Sequence, residues 1–274
     1  MSALPVGRRS AITLTIVSII GLTAFTWPLL MTPSAGIEHG ADAPWIFAVV
    51  LPMLIAIIAA ELADGGIDAK SIAMLGVLAA VGAALRPLGG EATGFQPMFV
   101  VLVLGGYAFG AGFGFVLGAV SMLASALLTG GVGPWLPFQM LAAAWVGMFA
   151  GLLPHLAGRG RLWLIAAYGF VSSLLFGLLM NLSFWPWAVS TGSGAIAYQA
   201  GAEWQVNLRH FIAFHLATSM GWDLTRAIGT AVLVLVVGTP VLAALARAGR
   251  RAAFEAPRKF LPPREDAATL GVGS

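Results

Sequence analysis

The stretch from residue 85 to residue 153 most constrains what this chain can become. It reads LRPLGGEATGFQPMFVVLVLGGYAFGAGFGFVLGAVSMLASALLTGGVGPWLPFQMLAAAWVGMFAGLL. Its two long apolar runs hold no Asp, Glu, Lys or Arg. Short connectors rich in Gly and Pro separate them and carry Gln96, Trp135 and Gln139. Apolar walls with a few fixed polar groups at one rim suit a small-molecule site inside a membrane.

The rest of the chain agrees. Charged residues are 9% of the sequence and mean hydropathy is +0.93, whereas a soluble domain carries about 25% charged residues. Repeated apolar runs of about 20 residues match helices crossing a hydrocarbon core of about 30 Å. The short alternating segments of an outer-membrane barrel are not seen. The expectation is an all-α polytopic membrane bundle. With no Cys, disulfides and thiolate metal sites are out of reach.

Eight spans are predicted, at residues 11–31, 45–60, 70–85, 98–110, 113–129, 138–153, 162–184 and 223–246. A signal peptide is the competing reading of the first. That run is long for an h-region and no clear A-x-A site follows, so a retained membrane helix is expected. Gly110, Gly112 and Gly114 permit a tight reversal between the fourth and fifth spans. Residues 185–222 form the longest connection, with an amphipathic piece at 208–220. Residues 247–274 read as a basic tail. The predicted divisions are a head with two extra spans (1–69), a six-helix core (70–246) and the tail (247–274).

Eight spans put both termini on one side. Eleven of the fourteen Lys and Arg then fall in segments on that side, leaving Arg86, Arg209 and Arg226 on the other. The positive-inside rule makes both termini cytoplasmic, in a multi-pass protein of the plasma membrane. Trp135, Trp185, Trp187, Trp204 and Trp222 gather outside. An interfacial belt explains any one of them; together they also describe a binding surface.

Charges sit only at span ends: Glu61, Arg86, Asp223 and Arg226. Ion-coupled transporters usually hold ionisable groups at membrane depth, and membrane enzymes need titratable groups within mutual reach. Neither pattern is seen, nor H-E-x-x-H, H-x-x-E-H or G-x-S-x-G. The nearest approach to a P-loop, GGIDAKS, has Ala69 where Gly is needed and no preceding strand. An enzyme is not expected, and neither a cofactor nor a nucleic-acid partner is implied. The chain is equipped to bind something and lacks its own energy source.

The third span reads SIAMLGVLAAVGAALRPL. Gly76, Ala80 and Ala84 recur every four residues, as do Ala79 and Ala83. Such a face lets another backbone approach closely, either within the bundle or on a partner subunit.

Three segments now carry a resemblance: LAAVGAALRPL; the run from FQPMFVV to AGLLP; and GWDLTRAIGTAVLVLVVGTPVL. From about residue 71 to 247 the chain resembles substrate-binding S components of energy-coupling factor (ECF) vitamin transporters. It is most similar to the corrinoid or cobalamin-type branch. The resemblance implies six core helices, an outward-facing vitamin site, no enzymatic activity, and work with a transmembrane T subunit and two ATPases. The family's A-x-x-x-A face for the T subunit falls on Ala79/Ala83 and Ala80/Ala84. Two extra spans depart from the six-helix pattern.

The expected function is therefore capture of a vitamin, best a corrinoid, for ATP-driven uptake by partner subunits. The alternative is an ATPase-independent permease for a small neutral solute. Expected ligand contacts are hydrogen bonds from Gln96, Gln139 and Asn181, stacking or lining by Trp135, Trp185, Trp187, Trp204 and Tyr198, and ion pairing by Arg86 and Arg209. Simpler roles compete: helix capping or a bond to a neighbouring helix for the amides, and headgroup anchoring for Arg86. Asp223 and Arg226, at i and i+3, read as an intrahelical pair, and His210 and His215 as packed or solvated.

Overall fold

The computed structural model describes residues 8–30, 69–89, 93–188, 194–199 and 201–254. These form helices without strands: α1 (Arg8–Leu30), α2 (Ala69–Leu88), α3 (Met98–Phe109), α4 (Ala111–Thr129), α5 (Leu136–Ala150), α6 (Arg159–Ala188), α7 (Trp204–Thr218) and α8 (Met220–Phe254). Five of them, α1, α2, α4, α6 and α8, are long and apolar enough to cross a membrane. The predicted span at 45–60 lies outside the described residues.

The helices follow the predicted runs but overshoot at the ends. In α2 the last turn continues past Arg86 and Pro87. Trp185 and Trp187, expected in a connection, lie on the last turns of α6. The amphipathic piece starts at Trp204, four residues early, and α8 continues to Phe254 instead of giving way to a tail at 247. A membrane helix need not stop where its apolar stretch stops, because its backbone bonds are internal to the segment.

The centre of the bundle is α3, with eleven of its twelve residues buried. It packs against α2, α4, α5, α6 and α8, while α1 lies on α5, α6 and α7. Between α3 and α4 the chain reverses on one residue, Gly110, at φ 97°. Only glycine reaches that region without steric cost. The tightest pairing is α4 on α5: a Cβ on Gly114 or Gly118 would strike the backbone of Gly147 or Ala143, and one on Gly106 of α3 would strike Gly147 as well. Such close approach is how helices associate in lipid, where no hydrophobic force draws them together.

Helix lengths shape one end. At 12 residues α3 spans about 18 Å, and the 15 residues of α5 about 22 Å, against about 45 Å for the 30-residue α6. The first two are shorter than a hydrocarbon core of about 30 Å. The lower ends of α3 and α4 meet at Gly110, so the upper end of α3, at Met98, sits recessed below its neighbours. The outward faces of the bundle are apolar, with Ile16, Ile19, Val77, Val81, Leu175 and Val236 exposed, as lipid contact requires.

Gly114→Val tests the close approach. Inserting bulk into a packed seam costs about 1–3 kcal/mol. A lowered thermal midpoint in detergent is expected for Gly114→Val, and little change for Gly76→Val, whose Cβ meets nothing within 4 Å.

Candidate functional site

The upper end of α3 and its neighbours carries four of the predicted ligand contacts. Gly82 of α2 faces Ser121 of α4 and Met98 of α3, which brings the last turn of α2 level with the start of α5. There Arg86 Nη2 donates to Gln139 Oε1 at 3.5 Å. Gln96 is half-buried in the turn that starts α3, and its carbonyl accepts from the Phe99 amide. Trp135 precedes α5, is 41% exposed, and donates its indole N–H to Gly131 O at 3.3 Å. Arg86, Gln96, Trp135 and Gln139 therefore share one rim, and Arg86 and Gln139 touch.

Beside this rim lies a buried polar relay joining α6, α7 and α8. Asp223, in the first turn of α8, forms an ion pair with Arg226 one turn on. Both are buried. The Arg226 guanidinium also donates to the Ser173 carbonyl and sits 5.5 and 5.1 Å from the Phe99 and Phe176 ring centres. Its charge is thus met by a carboxylate, a carbonyl and two ring faces, which compensates for its loss of water. Gly177 of α6 makes room for the carboxylate, since a Cβ there would collide with it. The other carboxylate oxygen, Oδ2, is buried without a hydrogen bond and faces His215 Nε2 at 3.8 Å. The far ring nitrogen, Nδ1, lies 2.7 Å from Asn181 Nδ2. The Asn181 amide has both a donor and an acceptor to offer at that nitrogen, so it can bond to either form of the ring edge. Burial lowers the His215 pKa below the ordinary histidine value, and the attraction of Asp223 only partly opposes it.

The aromatic residues are arranged differently from expectation. Trp185 is fully buried and donates its indole N–H to Ile196 O at 2.7 Å. Tyr198 packs edge-on against it, with ring centres 5.3 Å apart. With Leu182, Phe211 and Phe214 they form a satellite core separate from the main one. As arranged, Trp185 and Tyr198 seat the α7 segment on α6 and present no face for a planar ligand. Trp187 belongs to α6, and its side chain lies outside the described residues. Arg209 and Trp204 lie exposed on α7. Asn181 bonds to His215, one of the simpler roles open to it.

The small-residue face of α2 divides in two. Ala79 (3% exposed) and Ala83 (0%) point into the bundle, whereas Gly76, Ala80 and Ala84 are exposed. Ala79 and Ala83 are covered by this chain itself.

Residues that sequence reasoning set aside, His215, Asp223 and Arg226, build the best-connected polar structure here. Their signal was the i, i+3 spacing of Asp223 and Arg226, which reads as an intrahelical pair and does not by itself tell that α6 and α3 cover it.

Five long apolar helices and a recessed polar rim define a multi-pass membrane protein of the helical-bundle class. A family model described as ECF transporter, substrate-specific component, matches residues 70–238. No curated protein and no solved structure matches the chain. The match covers more than half of the sequence, and the chain belongs to the ECF transporter substrate-specific components. Such components are transporter subunits and not enzymes.

Removing Arg226 leaves Asp223 charged, buried and unpaired, a situation that costs about 3–5 kcal/mol. Arg226→Ala is expected to lower the thermal midpoint markedly. The double variant Asp223→Asn, Arg226→Met is expected to recover most of the loss, because no lone charge remains.

Proposed function

We propose that this S component captures a vitamin from outside the cell and delivers it to a T subunit powered by two ATPases, with cobalamin or another corrinoid as its cargo. The observation that carries the reading is the family match over residues 70–238, which takes in α2 to α7 and the first half of α8. The upper end supports it, because Arg86, Gln96, Trp135 and Gln139 all stand at that end of the bundle and Arg86 meets Gln139. We take this upper end to face outward and both termini to be cytoplasmic, following the charge asymmetry of the sequence. Arg86 and Arg209 supply positive charge for an anionic group on the ligand.

Docking of the T subunit is assigned to the exposed stripe of Gly76, Ala80 and Ala84. A smooth stripe lets a partner helix approach to backbone distance. Ala80→Leu is expected to abolish uptake while leaving ligand binding intact. Ala83→Leu serves as the contrast: it is expected to destabilise the bundle itself, read as a lower thermal midpoint.

Cargo is tested by calorimetry of the purified chain against a panel of vitamins. Tight binding of cobalamin or a cobalamin precursor is expected. Tight binding of another vitamin with none of a corrinoid would overturn the cargo and leave the transporter class in place. Co-purification of a polytopic partner and ATPases is expected. Uphill accumulation by the chain alone in liposomes, without nucleotide, would favour a self-sufficient permease.

A further inference from the structure

We propose that α7 is an interfacial helix set into the bilayer leaflet at the upper end of the bundle, with one face closed on the protein and the neighbouring flank covered by phospholipid.

Its length and depth point there. At 15 residues α7 spans about 22 Å, too short to cross a hydrocarbon core of about 30 Å. Its depth follows from what it packs on. Phe211 and Phe214 of α7 share the satellite core with Leu182 and Trp185 of α6, and Leu178 of α6 and Leu29 of α1 pack against that core. These four partners belong to the candidate membrane spans Ala11–Leu30 and Arg159–Pro186. Leu178 lies about 12 Å along the helix below the end of its span at Pro186. At the other end of α7 only Ser219 separates it from α8, whose span begins at Met220. Both its packing and its connection therefore hold α7 at the upper limit of the spanning helices.

The side chains of α7 suit that level. Asn207, Phe211, Phe214 and His215 form its buried face. Beside them runs a second apolar line at four-residue spacing: Trp204, Leu208, Ile212 and Leu216. Leu208 is half-buried, whereas Trp204, Ile212 and Leu216 are 55, 48 and 56% exposed. On the adjoining row Gln205 and Arg209 are exposed and mark a polar edge. A helix on a water-facing surface carries polar residues on its open side. An open apolar flank with a polar edge and a Trp at one end fits the boundary between headgroups and acyl chains.

Continuity names the occupant. The exposed apolar side chains do not end at Ser219: they go on as Trp222, Leu224, Ile228, Val232 and Val236 of α8, a surface that a spanning helix presents to lipid. The same lipid serves both helices, with acyl chains against Ile212 and Leu216 and headgroups along Gln205 and Arg209. Trp204 is then an anchor in the membrane interface and not a wall of the ligand site. The assignment depends neither on the cargo nor on which side of the membrane the upper end faces.

The absence of Cys allows single labels to be placed cleanly. Gln205→Cys, Ile212→Cys, Leu216→Cys and, on α8, Ile228→Cys are made one at a time in the full chain. All four positions are exposed, so a label displaces no packed side chain. Each variant is spin-labelled and placed in nanodiscs of phosphatidylcholine and phosphatidylglycerol. Relaxation by molecular oxygen, which concentrates among acyl chains, is compared with relaxation by a nickel chelate, which stays in water. The oxygen-to-nickel ratio at 212 and 216 is expected to approach that at 228 and to exceed that at 205 several-fold. A ratio at 212 and 216 no higher than at 205 would place the flank in water and overturn the proposal. Exclusion of both agents from 212 and 216 would show protein on the flank, in this purified system a second copy of the chain, and would overturn it as well.

Discussion

Backbone approach at a few glycines is the constraint on which the bundle depends. Lipid is as apolar as the helices, so side-chain burial alone does not assemble them. Gly106, Gly114, Gly118 and Gly147 let α3, α4 and α5 come close enough for dispersion contacts to accumulate. Seating α3 at the centre follows from this packing. Because α3 is short and its lower end is pinned at Gly110, its upper end must be recessed. The place where polar side chains gather is thus a consequence of where the glycines lie.

A second constraint is electrostatic. The Asp223–Arg226 pair is buried in the wall beside the recess, yet it is compensated on every side by a carbonyl, two aromatic faces and the space left at Gly177. A pair so enclosed acts as a structural joint between α6, α8 and α3. It leaves one carboxylate oxygen over, and that oxygen faces the helix seated on top. The bundle and α7 therefore meet at a charged centre.

Much of the fold was legible from the chain itself. Apolar runs marked every described spanning helix to within a few residues except at the end of α8, which runs on to Phe254, and the Gly cluster at 110–114 marked the reversal. Helix ends were less legible, since in α2 and α6 the helix continues through polar or aromatic residues that read as loop. Of the candidate site, Arg86 and Gln139 were both picked out by their place beside apolar runs, and they meet. Trp185 and Tyr198 pack in a satellite core, which spacing could not show: an aromatic near a membrane surface fits a ligand wall, a lipid belt or a packed core equally well. Ala79 and Ala83 were indistinguishable from Ala80 by spacing, because two four-residue repeats on one helix lie side by side and periodicity alone does not say which of them faces inward.

Composition and the order of apolar runs determined that this chain is a helical membrane protein with several spans and a polar rim between them. Those properties depend on the chain's local content, on the hydropathy of 20-residue windows and the conformational range of glycine. The tertiary structure decided which face of α2 is covered, that Trp185 packs α7 against α6, and that Asp223, Arg226, His215 and Asn181 lie in one cluster. These depend on contacts between residues far apart in the chain, such as Arg226 and Ser173, 53 positions apart. No local pattern encodes such a contact, because it arises only when separate helices pack and exclude water from between them.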